Sequence, residues 1–466
     1  MRKEQLDALR TEVSGPVLTP QDDGFAQECS GFDLALAHSP ELVLGAASEA
    51  DVRAGVRFAA RFGLTVRVQA TGHGIGIPAA GGMLITTTRM RGVRVDPVQR
   101  TAIVQAGCRW RDVIDAAASH GLAALNGSST DVGVVGYTLG GGLSPLGRAF
   151  GFTSDLVRRL RLVDAAGEVH VIDAQHEPET FWALRGGKCE IGVVTELEFE
   201  LLDLPGFYGG GLFFAGEHIA DVLEAFRTWS AGLPDESCAS VAILRLPPLP
   251  DVPEPLRGVP VAHLRFIHVG DPVRGAELVA PMRACAPLLI DAVGAMPYRD
   301  IAAVHRDPEQ PMPVWDAGTL LTAFPAEAAE AMLEAAGSGR PSPLTIVELR
   351  QLGGALARPV DSAVGGRDAA FAVTVIGVCP PGAGDAVEAA GLLLLDALAP
   401  WSSGGANINF QGARTAADAI RRAWPAATVT RLLRVKQQWD PDRRFRFGHS
   451  LEPLDEQETT EQGAFA

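Results

Sequence analysis

The sequence predicts an α+β protein built from two unlike parts, and three observations carry that prediction. The length, 466 residues, exceeds what one core accommodates at ~100–200 residues per domain. Over the first two hundred or so residues, short alternating strands and amphipathic helices follow one another without the regular period of a wound parallel sheet. At Leu204-Pro205-Gly206 the composition shifts, and longer strands then alternate with helices and Pro-rich connectors, as in an antiparallel sheet. The boundaries expected are 1–205, 206–400 and 401–456, with 457–466 a disordered polar tail.

The elements follow in order. Residues 3–13 form a short amphipathic helix. "ASEADVRAGVRFAARFG" is a second: Ser48 caps it, Asp51 lies three residues on, Val52, Val56 and Ala59-Ala60 share a face, and Gly63 ends it. "LTVRVQA", "GMLITTTRM" and "TAIVQAG" are strands, and "RWRDVIDAAASHG" is a helix stopped by Gly121. "LVRRLRLVDAAGEVHVID" is a hairpin turning at Ala165-Ala166-Gly167, and "GVVTELEFELLDL" an alternating strand. Further on, "VAHLRFIHVG", "LTIVELRQL" and "FAVTVIGV" are strands, while "AEAAEAMLEAAG" and "GAGDAVEAAGLLLLDALAPW" are helices. "RLPPLPDVPEPLRG" is a loop, and a last helix ends near Asp440-Pro441.

Bulk properties exclude several functions. A net charge of −16 with no basic run argues against nucleic acid and anionic membrane as partners. The six cysteines show no metal-type spacing, so free thiols in a reducing compartment are expected. The N-terminus lacks the pattern of a secretory signal, and no apolar run reaches ~18 residues. A cytoplasmic protein is the expectation.

Two stretches point to chemistry. In "VRVQATGHGIG" a strand ends in Gly72-His73-Gly74, where the imidazole is a turn residue, a metal ligand or base, or a point of contact with a cofactor. In "NGSSTDVGVVGYTLGGGLSPLGRAFGFTSD" the glycines are too dense for a helix or an ordinary strand. Their backbone N–H groups suit a diphosphate cradle. The dinucleotide fingerprint G-x-G-x-x-G is absent, as is Gly-Lys-Ser/Thr of a phosphate loop.

Together with "FWALRGGKCEIGVVTELEF" and "RLLRVKQQWDPDRRFRFGHSLEP", these stretches resemble, in order, the motifs of the vanillyl-alcohol oxidase/p-cresol methylhydroxylase (PCMH) superfamily, and within it the berberine-bridge-enzyme-like oxidases. The resemblance spans about residues 35–453. It implies a PCMH-type FAD-binding domain, an antiparallel-sheet substrate domain roofing the flavin, and a C-terminal segment that returns to complete the FAD site. In the family the histidine at the position of His73 is bonded to the flavin 8α-methyl. A second anchoring cysteine of the family aligns with Ser129, so a single covalent link is expected. The cofactor contacts implied are Gln69, Ala70, Thr71, Gly72, His73, Gly74, Thr130, Asp131, Val132, Gly133, Gly136, Tyr137, Gly140, Gly142, Asp155, Gly192, Val194 and Asn409. Val132 matches the position governing oxygen access, and valine there favours an oxidase. No metal site is expected.

The chemistry implied is that of an FAD-dependent oxidase acting on an alcohol, sugar or secondary-metabolite intermediate, with O₂ as acceptor. The alternative is a flavoprotein whose FAD is structural and which runs a redox-neutral cyclisation or rearrangement. A base must take the proton from the substrate O–H or N–H. The family's tyrosine is replaced by Asn407 in "GGANINFQG", and amide chemistry supplies no base. Tyr137 and Glu348 are the remaining candidates. Glu348 shares a strand face with Arg350, as a functional pair or an internal salt bridge. Cys189 and Glu190 replace the family's Gly and Asn.

Overall fold

The computed structural model describes residues 3–250, 252–339, 341–412, 414–446, 449 and 451, so the tail expected at 457–466 lies outside it. The first sheet runs Val17–Leu18, Leu42–Gly45, Met83–Thr86, Val66–Gln69. Its last three strands are parallel. The crossover is the helix Glu49–Phe62, whose Ser48 hydroxyl accepts from the Asp51 N–H at 3.2 Å, and whose last turn ends at Gly63 with φ 67°. One wound unit is thus set inside the α+β pattern. The sequence obscures it because strands buried on both faces are continuously apolar and do not alternate. Val52, Val56 and Ala59 of the helix pack on Leu42, Leu44, Val66, Met83 and Ile85.

The second sheet is antiparallel, in the order Val93–Asp96, Thr101–Gln105, Val193–Glu200, Val157–Val163, Val169–Asp173. The expected hairpin is its last pair. The helix Trp110–Ala118 packs Trp110, Val113 and Ile114 into the core beneath.

The third sheet is the largest and is antiparallel throughout. It runs Leu288–Asp291, Gly206–Ala215, Pro260–His268, Ser237–Arg245, Ile346–Gln351, Phe371–Val378, Val314–Leu321. Strand alternation gives it two unlike faces. Val241, Ile243, Leu264, Phe266, Val347 and Leu349 point into an apolar core shared with Val222 and Phe226 of the helix Ile219–Ser230. The opposite face carries Ser240, His263, Arg265, Glu348 and Arg350, all buried.

Two connections hold the parts in place. Arg148, in the short helix Gly147–Phe150, is buried and spends its guanidinium on carbonyls next to the third sheet: Ser237 O at 2.8 Å, Leu233 O at 3.2 Å, and Leu352 O. The helix Ala426–Trp439 then returns Leu432 and Val435 to the core that holds Phe181 and Trp182, and the Val66 N–H donates to Arg444 O at 2.7 Å. Among the described residues, no helix is long and apolar enough to cross a membrane, and no three metal-ligating side chains converge.

Candidate functional site

His73 sits where the strand Val66–Gln69 ends. Gly72 takes φ 74°, and its Cα lies so close to Gly31 that a side chain on either would meet backbone. That contact seats Phe32 flat on the imidazole, with ring centroids 3.9 Å apart and planes inclined by 14°. Nδ1 lies 2.9 Å from Thr71 Oγ1, which also accepts the Gly133 N–H at 3.2 Å. Nε2 is buried and has no hydrogen-bond partner. Burial and the nearby Arg109 push the imidazole down to about 4, against an opposing pull from Asp131, so it is neutral near pH 7. With Nδ1–H donating to Thr71, Nε2 keeps a free lone pair.

The glycine-rich stretch corrects an expectation: it holds a helix, Val134–Leu139, with Gly136 inside it. Apolar burial of Val134 and Val135 compensates for the poor propensity of glycine there. Residues 130–133 run along the turn before helix Trp110–Ala118. Thr130 O accepts from the Arg111 N–H at 2.8 Å, and Val132 O from the Trp110 N–H at 3.1 Å. Gly133 lies against Ala70 and Thr71. A Cβ built on Gly74 or Gly136 meets nothing within 4 Å, so both open onto free space that side chains would fill. A Cβ on Gly140 would sit 2.1 Å from Asn409 Oδ1, while Asn409 Nδ2 donates to Tyr137 O at 2.8 Å. His73, Thr71, Gly133, Gly136, Gly140 and Asn409 are therefore brought together from three distant stretches. A neutral orphan imidazole beside a backbone cradle fits a flavin dinucleotide. Ser129 stands in the same loop with no thiol beside it; the nearest cysteine in sequence on that side, Cys108, is a buried core residue.

Other predicted residues take structural posts. The Gln69 side chain turns away from the cradle, meeting His38 Nε2 at 2.7 Å and donating to Ser30 O at 3.1 Å. Asp131 is buried with its carboxylate between Arg109 at 2.9 Å and Arg111 at 2.6 Å. Asp155 accepts the Phe152 N–H at 3.0 Å and pairs with Arg367. Gly192 is glycine because Val163 O would lie 2.4 Å from its Cβ, and Val194 is a core residue. Asn407 caps a short turn, its Oδ1 accepting the Asn409 N–H at 3.0 Å. Tyr137 lies beneath the loop, edge-on to Trp110 at 5.5 Å, and burial raises its phenol far above the usual range, which removes it as a base. Glu190 pairs with Lys436 of the C-terminal helix at 3.4 Å.

Glu348 takes the internal salt bridge, one of the two roles expected of it. It shares a face with Arg350, and its carboxylate accepts from Ser240 Oγ at 2.7 Å, Arg265 Nη1 at 2.8 Å and Arg350 Nη2 at 3.1 Å. Burial opposes ionisation there, yet Arg350 and Arg265 outweigh it and hold the carboxyl well below the usual range. An anion so stabilised is a poor proton acceptor. The cluster abuts the glycine-rich loop, since Arg350 Nη1 reaches Leu143 O at 3.4 Å. Local sequence gave no signal for Phe32, Ser240, Arg265 or His305, whose partners other than the Arg265–His263 contact are distant in the chain.

Residues 40–173 match the family described as "FAD binding domain". Over 96% of this chain and 98% of the relative, the sequence is 26% identical to (R)-6-hydroxynicotine oxidase of Paenarthrobacter nicotinovorans. The crystal structure of 6-hydroxy-D-nicotine oxidase from Arthrobacter nicotinovorans superposes with a TM-score of 0.81, covering 95% of this chain and 98% of that one at 26% identity. Along its length the chain is similar to FAD-linked oxidases, and its N-terminal part matches the FAD binding domain family. Its fold is that of the vanillyl-alcohol oxidase/p-cresol methylhydroxylase superfamily, of the berberine-bridge-enzyme-like kind. Physcomitrella patens BBE-like 1 shares that fold at 18% identity, TM-score 0.81, over 97% of this chain and 99% of the other. So does the xylooligosaccharide oxidase of Myceliophthora thermophila at 20%, TM-score 0.81, with the same coverage. This FAD-dependent oxidoreductase is read as an oxidase, and the redox-neutral alternative is not favoured.

Proposed function

We propose that this FAD-linked oxidoreductase oxidises a small molecule at a carbon bearing O–H or N–H, uses O₂ as acceptor, and carries its FAD on His73. When bound, FAD accepts the two electrons of that oxidation and passes them to O₂, giving H₂O₂. The single observation supporting the tether is His73 Nε2: buried, neutral near pH 7, without a partner, and at the open end of the glycine cradle. Thr71 fixes the productive tautomer by accepting from Nδ1, and Phe32 fixes the ring plane. Gly74 and Gly136 leave space for the cofactor, and Asn409 clamps the loop from the C-terminal side. Val132, on the same loop, is the gate for oxygen.

The test is direct. Purified protein is yellow, its flavin survives acid precipitation, and mass spectrometry of a tryptic digest finds the flavin mass on the peptide containing His73. His73→Ala still binds FAD but releases it on denaturation. Flavin retained by that variant after acid treatment refutes the linkage. A yellow protein that releases no peroxide across an alcohol and amine panel refutes the oxidase reading.

A further inference from the structure

The buried polar face of the third sheet is out of charge balance. Arg265 and Arg350 share one carboxylate, Glu348. Arg148, close by, is opposed only by the more exposed Asp235 at 3.6 Å. Arg306 also faces this group, lying over Phe213 at 5.9 Å. Counting Arg306, which is exposed, four guanidiniums meet two carboxylates, and Arg148, Arg265 and Arg350 are each less than 10% exposed.

Hydrogen bonding says the same thing independently. A guanidinium only donates. Arg350 Nη2 lies 3.3 Å from His305 Nε2, so that nitrogen accepts, and the proton of the neutral ring sits on Nδ1. His305 Nδ1 is buried and has no partner. Arg265 Nε likewise donates to His263 Nδ1 at 3.2 Å, leaving a proton on the unpartnered Nε2. Burial drives both imidazoles to the neutral form. Two buried N–H donors without acceptors are costly. Arg148, Ser240, Arg265, His305 and Arg350 line one small cavity, whose far wall is Leu143-Ser144-Pro145 of the glycine-rich loop.

We infer that this cavity is an anion seat, and that the substrate carries a carboxylate which lies on Arg265, Arg350 and the Nδ1–H of His305. The inference rests on the oxidase reading, because it places the seat on the loop that forms the cradle. It separates this chain from relatives named for nicotine and xylooligosaccharide oxidation, whose substrates as named bear no carboxylate.

The test titrates the yellow holoenzyme with benzoate and with benzamide, its uncharged counterpart, following the visible flavin spectrum and the unfolding midpoint. Benzoate binds at least about tenfold more tightly than benzamide, the ratio expected of a charge-assisted pair. In His305→Leu the preference falls toward unity while the protein stays yellow. Arg265→Gln gives the same loss, so the conclusion does not hang on one variant folding. Equal binding of the two ligands, or no benzoate binding by a yellow, peroxide-forming enzyme, overturns the anion seat and leaves the oxidase reading intact. A protein that binds no flavin overturns the oxidase reading and the seat with it.

Discussion

Replacing Glu348 by Gln distinguishes a counter-ion from a base. Among the described residues, the carboxylate is the only anion accepting from Arg265 and Arg350, and it also takes the Ser240 hydroxyl. Gln keeps the volume and one acceptor oxygen but places an amide N–H₂ against guanidinium donors. Removing one partner of a buried pair costs about 3–5 kcal/mol, because the charge left behind stays desolvated. Here two cations are left, so the upper part of that range is expected, seen as a lower denaturation midpoint of the holoenzyme. Benzoate supplies a replacement charge. At a hundred times its dissociation constant it restores about 2.7 kcal/mol, and it rescues Glu348→Gln more than it raises the parent enzyme.

A base behaves otherwise. Loss of a general base slows turnover by about 10²–10⁴ and removes the acid limb of the pH–rate profile, with stability little changed. Glu348 is held ionised far below the usual carboxylate range, so it gives no limb in the range where the enzyme is assayed. The assay is paired: chemical unfolding with and without benzoate, and kcat against pH. A variant as stable as the parent, slowed a hundredfold, with an acid limb abolished, would refute the counter-ion argument.

Three further outcomes are expected. Gly140→Ala drives a methyl into Asn409 Oδ1 and Lys188, costing about 1–3 kcal/mol, seen as a lower unfolding midpoint of the holoenzyme. Val132→Leu slows reoxidation of the reduced enzyme by O₂ in stopped flow, while anaerobic reduction by substrate changes little. His449, whose Nε2 lies 2.8 Å from Gly412 O, is lowered to about 4 by burial and Lys188; its folded value is below its unfolded one, so its stabilising share is complete above pH 6.5 and is lost as pH falls toward 4. His449→Gln therefore flattens the fall in unfolding midpoint between those two pH values.

Legibility in the sequence followed the range of the interactions. The helix Glu49–Phe62, its Ser48 cap and the hairpin at 157–173 are local, and period and turn residues announce them. Motif order carried the cradle, because glycines that admit a ligand are tied to positions in the chain. Side-chain partners were not legible in the motif matches. Asp155, Asp131 and Gln69 have the chemistry of ligand contacts, but Arg367, Arg109 and His38, all distant or unsignalled, had already claimed them. Asn407 sits where a base is expected, and its amide instead caps the turn that positions Asn409.

The anion seat was illegible for a physical reason that bears on where the missing base lies. It is assembled by strand register: Ser240 pairs with Arg350 across one strand boundary and with Arg265 across the other. Nothing within one strand reports that alignment. Once assembled, the cluster contains cations, one committed anion and two neutral imidazoles whose lone pairs are occupied by arginine donors. None of these accepts a proton near pH 7. The face is therefore built to hold a charge, and proton removal is left to a group elsewhere. Lys188, lowered to about 8 by burial against Glu190 and Asp316, and Asp316, raised to about 7 by burial and Asp33, titrate close to neutrality, and the Lys188 side chain lies beside Gly140. A kcat profile whose limbs move in Asp316→Asn, and not in Glu348→Gln, would assign the proton transfer to that side of the cradle.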